Sequence, residues 1–259
     1  MSVLIVSMLA IGAAAGLLSG LFGIGGGIVL VPFMIWLFGL SNFPSESIVH
    51  MAIATSLATI IPTSIASVFA HQRLGALQWP AVRMIAPYMF IGAILGSVIA
   101  GNLPGDLLKT VFAVYLIIVA LRMWFQYTTS TSQLGLNRFI MACAGSTIGA
   151  ISSLLGIGGG TLSVPFLTYS GYSMRHSVAI SAACGIPIAL AGSLGYALIV
   201  DHNSRLPAYS LGFIYLPAFL ATIVTSVSFA PLGAYLAKHL PVKPFKRLFA
   251  VIVFAVGMK

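Results

Sequence analysis

Long apolar runs alternate with short polar breaks along the whole chain. The apolar segments fall at about 3–22, 28–40, 48–70, 81–101, 107–125, 139–155, 161–172, 177–200, 211–237 and 245–258. Each run is continuous, without the every-second-residue alternation of a barrel strand. The pattern therefore predicts helices, which satisfy their own backbone groups in lipid. Most runs approach the roughly 20 residues that a helix needs to cross a bilayer. Strands are not expected.

Composition sharpens this picture. Hydrophobic residues make up 59% of the chain and charged residues only 6%, against about 25% charged in a soluble domain. Such a chain cannot cover a water-facing surface. A soluble enzyme, a nucleic-acid-binding module and a disordered protein are excluded, and the expected class is an all-α polytopic membrane protein. The net charge of +9 then reads as topology signalling rather than as a nucleic-acid footprint. Cys143 and Cys184 both lie in apolar runs and are expected as buried free thiols.

The sequence contains itself twice. Residues 16–33 read GLLSGLFGIGGGIVLVPF and residues 149–166 read GAISSLLGIGGGTLSVPF. The correspondence continues: Ala54-Thr55-Ser56 falls on Ala179-Ile180-Ser181, Pro62 on Pro187, Pro80-Ala81 on Pro217-Ala218, Gly96 on Gly233, and Lys109 on Lys246. The chain is thus one transmembrane domain of two halves, 1–127 and 137–259, joined by the polar stretch Thr128–Gln133. Each half holds four to five helical segments. Repeats of this kind point to transporter architecture.

Charge decides between parallel and inverted halves. If each half crosses an odd number of times, one side collects Arg73, Arg83, Arg122, Arg138, Arg175, Lys238, Lys243, Lys246 and Arg247, and the other only Lys109, Arg205 and Lys259. Even crossings would split the charges equally. The positive-inside rule favours the uneven distribution. Two inverted repeats in the inner (plasma) membrane are expected, with both termini outside the cytoplasm. Charge leaves open whether the first two segments of each half cross or form a re-entrant hairpin.

Segments 28–40 and 161–172 reach only about 18–20 Å, short of the ~30 Å hydrocarbon core. Each follows a glycine-rich break. Short, glycine-interrupted segments at matching positions are the best sequence pointer to a transporter's binding site. Gly23, Gly25, Gly26 and Gly27, and likewise Gly156, Gly158, Gly159 and Gly160, allow the backbone to turn sharply and approach a ligand. The helix beginning after each turn offers unpaired N–H groups and a partial positive charge. That end suits an anion. Pro32 and Pro165 follow within about a turn and a half and help to fix the break. The competing reading of such glycines is close helix packing.

Other polar groups add to the picture. Thr55, Ser56 and Ser181 occupy corresponding positions and are candidates to line a shared cavity. His50 aligns with Arg175, and His176 follows. These three stand at helix mouths, where they attract an anion, gate its path or anchor the interface. Arg83 has no basic counterpart, and its side chain is expected to snorkel. Glu46, Asp106 and Asp201 are the only acids, and all fall in loops. A cation site or carboxylate relay inside the membrane would need one. No His/Cys cluster has metal- or haem-ligand spacing, and no hydrolase triad or zinc-protease spacing occurs. No cofactor or metal is expected, and the chain is not expected to be an enzyme.

The duplicated Gly-Ile-Gly-Gly-Gly with Val-Pro-Phe, the Ala-Thr-Ser-Leu run at 54–57 and the two matched halves resemble the sulfite exporter TauE/SafE family. The resemblance covers essentially the whole chain. It implies an inner-membrane transporter of sulfur-containing or organic anions. Its motifs fall on Gly23–Gly27 and Gly156–Gly160, on Pro32 and Pro165, and on Thr55 and Ser56. Ile180-Ser181 departs from the expected second Thr-Ser pair. The expected function is a secondary transporter of a small sulfite- or sulfonate-type oxyanion by alternating access, with a proton as one coupling option. An anion channel on the same fold, or a carrier of a non-sulfur carboxylate, is the alternative.

Overall fold

The structure is a computed structural model that describes residues 2–23, 25–41, 43–125, 138–199 and 206–239, with 251, 253, 254 and 257. Among these residues run nine α-helices: α1 (Ser2–Phe22), α2 (Gly27–Leu40), α3 (Ser45–Arg73), α4 (Trp79–Gly101), α5 (Gly105–Phe125), α6 (Arg138–Leu155), α7 (Gly160–Tyr169), α8 (Met174–Leu198) and α9 (Leu216–His239). Six of them, α1, α3, α4, α6, α8 and α9, are long and apolar enough to cross a membrane. The chain is a multi-pass membrane protein. The helices fall on the first nine apolar segments. The joint Thr128–Gln133, Asp201, Arg205 and most of the tenth segment lie outside the described residues.

Two expectations need correction. The segment at 211–237 is not helical from its start. Two short antiparallel strands, β1 (Ser210–Leu211) and β2 (Ile214–Tyr215), precede α9. Gly212 turns between them at φ +58°, and a Cβ there would lie 2.5 Å from the Ala197 carbonyl oxygen. The hairpin thus sits directly on the end of α8. Cys143 is exposed on α6, and only Cys184 is buried.

Small residues set the helix pairs. A Cβ on Gly12 would lie 2.5 Å from Thr222 O, one on Gly16 2.3 Å from Ser226 O, and one on Gly20 2.0 Å from Ala230 O. Helices α1 and α9 therefore run parallel with their backbones touching, as in small-xxx-small packing. Helices α4 and α6 repeat the arrangement: a Cβ on Gly92 would lie 2.0 Å from Ser146 O and one on Gly96 2.2 Å from Ala150 O. The register is reciprocal. A Cβ on Gly149 would lie 2.1 Å from Met89 O, matching Gly16 against Ser226 O, and one on Gly233 would lie 2.1 Å from Leu17 O, matching Gly96 against Ala150 O. The packing reading of glycines thus holds for these stripes.

Helices α3 and α8 cross the centre in opposite senses. Gly192 packs on Leu57 and Gly185 on Ser64, so the numbers fall on one helix as they rise on the other. The start of α8 is tied to the far end of α3, because Arg175 donates to the Leu74 carbonyl and His176 Nδ1 lies 2.8 Å from Ala76 O. The start of α9 lies instead at the near end of α3, where Tyr215 N donates to Thr55 Oγ1 at 3.0 Å. Helices α1 and α2 form a hairpin. Near the start of α1, Leu9 O accepts from Thr225 on α9 at 2.8 Å. Near the end of α2, the Phe38 ring meets Tyr215 edge-on at 5.7 Å. Thr225 lies in the first half of α9 and Tyr215 just before it, so α2 returns toward the end from which α1 set out. At 14 residues it rises only about 21 Å.

Candidate functional site

The two glycine turns meet. A Cβ on Gly25 would lie 2.8 Å from Gly158 Cα, and one on Gly27 2.3 Å from Gly156 O. Every described residue of both turns is buried. Gly26 and Gly159 are the residues preceding α2 and α7, and they share one left-handed geometry, φ 76° and ψ −14° against φ 76° and ψ −12°. An L-residue with a Cβ rarely adopts that backbone, which is why both turns need glycine here.

The consequence is electrostatic. Neither helix start is capped by a side chain, and neither first turn contains an acid. The first N–H groups of each helix have no acceptor within it and carry partial positive charge. Two such ends are brought together in a buried region. The carboxylates of Glu46 and Asp106 lie exposed at helix starts elsewhere.

Hydroxyls surround the turns in two classes. One class holds the backbone. Ser56 donates to Gly156 O at 2.8 Å, and Ser181 donates to Gly23 O at 3.0 Å. Ser163 in turn donates to Ser181 at 2.7 Å. The Thr55 oxygen accepts from Tyr215 N. These three predicted residues do converge on the centre, but their bonds go to protein groups. The other class is unpartnered. Ser19, Ser64 and Ser152 are 0–1% exposed and their hydroxyls bond nothing. Ser152 Oγ lies 3.4 Å from where a Gly159 Cβ would stand, and Ser64 Oγ 2.9 Å from that of Gly185, whose Cβ position is 3.3 Å from Gly158 O. Ser19 holds the repeat position of Ser152, and its carbonyl accepts from Gly23 N at 2.9 Å. Ser19 and Ser152 were missed in the sequence reading. The signal was present: both stand four residues before the first glycine of the duplicated motif.

Pro32 and Pro165 are the sixth residues of α2 and α7. There each removes the N–H that would reach Ile28 O or Thr161 O. His50 is buried, with Nε2 3.2 Å from Ala100 O and 3.1 Å from Leu103 O, and its ring stacks on Phe213 at 5.2 Å. It is not brought near the turns. Arg175 and His176 bind the α3–α4 connection, as described. Among the described residues no group of three or more His, Cys, Asp or Glu gathers.

Helices that cross a membrane, a tight mirrored packing and two buried helix starts facing each other define a helical membrane protein of transporter type. The chain belongs to the sulfite exporter TauE/SafE family, a family of transporters and not of enzymes, whose model matches residues 8–259. It is 36% identical over 255 residues to a probable membrane transporter protein of Haemophilus influenzae, covering 96% of this chain and 95% of that one. It is 27% identical over 255 residues to one of Methanocaldococcus jannaschii, covering 97% and 93%. A Bacillus subtilis relative, the probable membrane transporter protein YdhB, is 27% identical over 192 residues, 70% of this chain and 74% of that one. No solved structure matches the chain.

Proposed function

We propose that this transporter carries a small anion, of sulfite or sulfonate type, by alternating access of two inverted repeats. One observation carries the reading: two uncapped, buried helix starts converge beside unpartnered serine hydroxyls, with no carboxylate of the described residues near them. A buried hydroxyl without a partner costs about 1–3 kcal/mol. An anion received between Ser19, Ser152 and the first amides of α2 and α7 would satisfy these groups and the helix dipoles together. Ser56 and Ser181 act by holding the turn carbonyls so that the amides stay available. Thr55 instead fixes the end of β2 ahead of α9, by accepting from Tyr215 N.

Inverted repeats are supported by the opposite courses of α3 and α8 and by the reciprocal glycine contacts. The described arginines, Arg73, Arg83, Arg122, Arg138 and Arg175, stand at the end where α4, α6 and α8 begin and where α3 and α5 finish. The positive-inside rule supports a cytoplasmic position for that end and an external one for the start of α1. The turns are packed directly on each other, so this conformation is closed to solute. Opening requires the repeats to move apart. The ties from Arg175 to Leu74 and from His176 to Ala76 join the two halves at the basic end, and they act as a gate there.

The reading is tested in proteoliposomes with sulfite, thiosulfate, sulfoacetate, taurine and simple carboxylates. Saturable flux with counterflow of a sulfur oxyanion is expected. Near-diffusive conductance without counterflow identifies a channel instead. Counterflow of carboxylates alone removes the sulfur assignment.

A further inference from the structure

A groove of about 520 Å³ lies on the flank of α4, lined by Trp79, Val82, Arg83, Ala86, Pro87 and Phe90 with Pro187 from α8. We infer that this groove binds one anionic phospholipid of the leaflet at the basic end, with its phosphate on Arg83 and an acyl chain along Pro87, Phe90 and Pro187. The inference does not depend on which solute is carried.

Three observations point there. First, Arg83 is exposed and makes no described hydrogen bond or ion pair, and every other residue lining the groove is apolar. Among the described residues, the acids Glu46 and Asp106 both stand at the opposite end, at the starts of α3 and α5. No described carboxylate is placed to pair with Arg83. Second, the groove is ordered as a lipid is. Trp79 begins α4 and is 42% exposed, as an interfacial tryptophan would be. Arg83 follows about one turn deeper, and only apolar groups lie beyond it. From Trp79 to Phe90 the helix rises about 16 Å, half of the ~30 Å core and so one leaflet. Third, the surroundings are lipid-facing: Phe90, Ile91, Ile94, Leu95, Val98 and Ile99 are all exposed along the same helix. Basic pockets between membrane helices on the cytoplasmic side are suited to anionic headgroups. A free inorganic anion would use Arg83 but would leave the apolar length of the groove without purpose.

The other half does not repeat the feature. Trp79 and Arg83 fall on Leu216 and Leu220 in the register that pairs Pro80 with Pro217. One lipid per chain is expected rather than two.

The test compares full-length protein in nanodiscs of pure phosphatidylcholine and of phosphatidylcholine doped with phosphatidylglycerol, reading lipid retention by native mass spectrometry. Wild type should retain one phosphatidylglycerol in preference to phosphatidylcholine. Arg83→Gln should lower that preference roughly fivefold, the effect of one basic residue near an anionic surface. Ala86→Trp, which keeps the charge but fills the groove, should lower it as well. Arg138→Gln, at the same end but not among the residues that line the groove, should leave it intact. Added inorganic phosphate should not compete. Equal preference in wild type and Arg83→Gln overturns the inference. So does an equal loss in Arg138→Gln, which would mark a face-wide charge effect, or displacement by inorganic phosphate, which would mark a plain anion site. If Arg83→Gln does not fold, Ala86→Trp decides: retained preference in that variant overturns the groove.

Discussion

The hydroxyl of Ser56 lies 2.8 Å from the carbonyl oxygen of Gly156, on the turn that belongs to the other half of the chain. Ser181 reaches back to Gly23 at 3.0 Å. Each half thus holds the other half's glycine turn from the same repeat position. The two turns cannot be positioned independently, so whatever they bind is bound by both halves.

That relationship makes the first prediction. Ser56→Ala removes the donor and leaves the Gly156 carbonyl buried without its partner, a loss of about 1–3 kcal/mol. Ser181→Ala should lose as much for the same reason at Gly23. Both variants should melt earlier in detergent, and both should transport more slowly. Ser56→Thr, which keeps the hydroxyl, should recover part of the activity.

A second prediction separates the two turn glycines. At Gly26 a Cβ would lie 2.8 Å from the Ala15 carbonyl oxygen, whereas at Gly159 the nearest atom is Ile188 Cδ1 at 2.7 Å. Backbone cannot yield as a side-chain tip can. Both positions share the φ 76° strain, about 1–2 kcal/mol for an L-residue. Gly26→Ala should therefore be clearly less stable than Gly159→Ala. The readout is thermal unfolding of the purified variants, and an equal fall in both would count against the turn geometry.

The helix stripes give a third. Gly16→Ala sets a Cβ 2.3 Å from Ser226 O, which forces α1 from α9. Overpacking of this kind costs about 1–3 kcal/mol. Gly39→Ala meets nothing within 4 Å and should be neutral, or gain about 0.5–1 kcal/mol from helix propensity. Melting temperatures of the two variants check the contrast.

Topology supplies the fourth. In a background without Cys143 and Cys184, cysteines placed at Ser45 and Tyr209 should label from one face of the membrane. Those at Gln72 and Ser173 should label from the other. All four positions are exposed. Labelling of Ser45 and Gln72 variants from a single face would remove the crossing of α3 and with it the inverted arrangement.

Much of this was legible in the sequence. The segments were visible as unbroken apolar runs, and the repeat as two near-identical strings around Gly-Ile-Gly-Gly-Gly. The short length of α2 and the glycine break before it marked the central turns. What escaped was set by tertiary contact. The β1–β2 hairpin depends on Gly212 resting on Ala197, a contact between segments that periodicity does not register. His50 looked like a mouth residue because it begins a helix, yet the α4–α5 connection covers it. The difference between Ser56, which is bonded, and Ser19, which is not, lies in where the partner carbonyl ends up. No local pattern encodes that.

In the proposed transport the helix starts of α2 and α7 receive an anion beside Ser19 and Ser152. Removing a buried hydroxyl that bonds nothing removes its desolvation cost, so ligand-free stability should hold or rise, while removing one that bonds an anion should weaken binding by about 1.5–3 kcal/mol, or ten- to a hundredfold. The decisive measurement is titration calorimetry of sulfite into wild type and into Ser19→Ala and Ser152→Ala, with ligand-free melting recorded beside it. Melting that is unchanged or raised, with at least a tenfold loss of affinity in each variant, is the predicted result. Wild-type affinity in the two variants, or a fall in their melting, would contradict it.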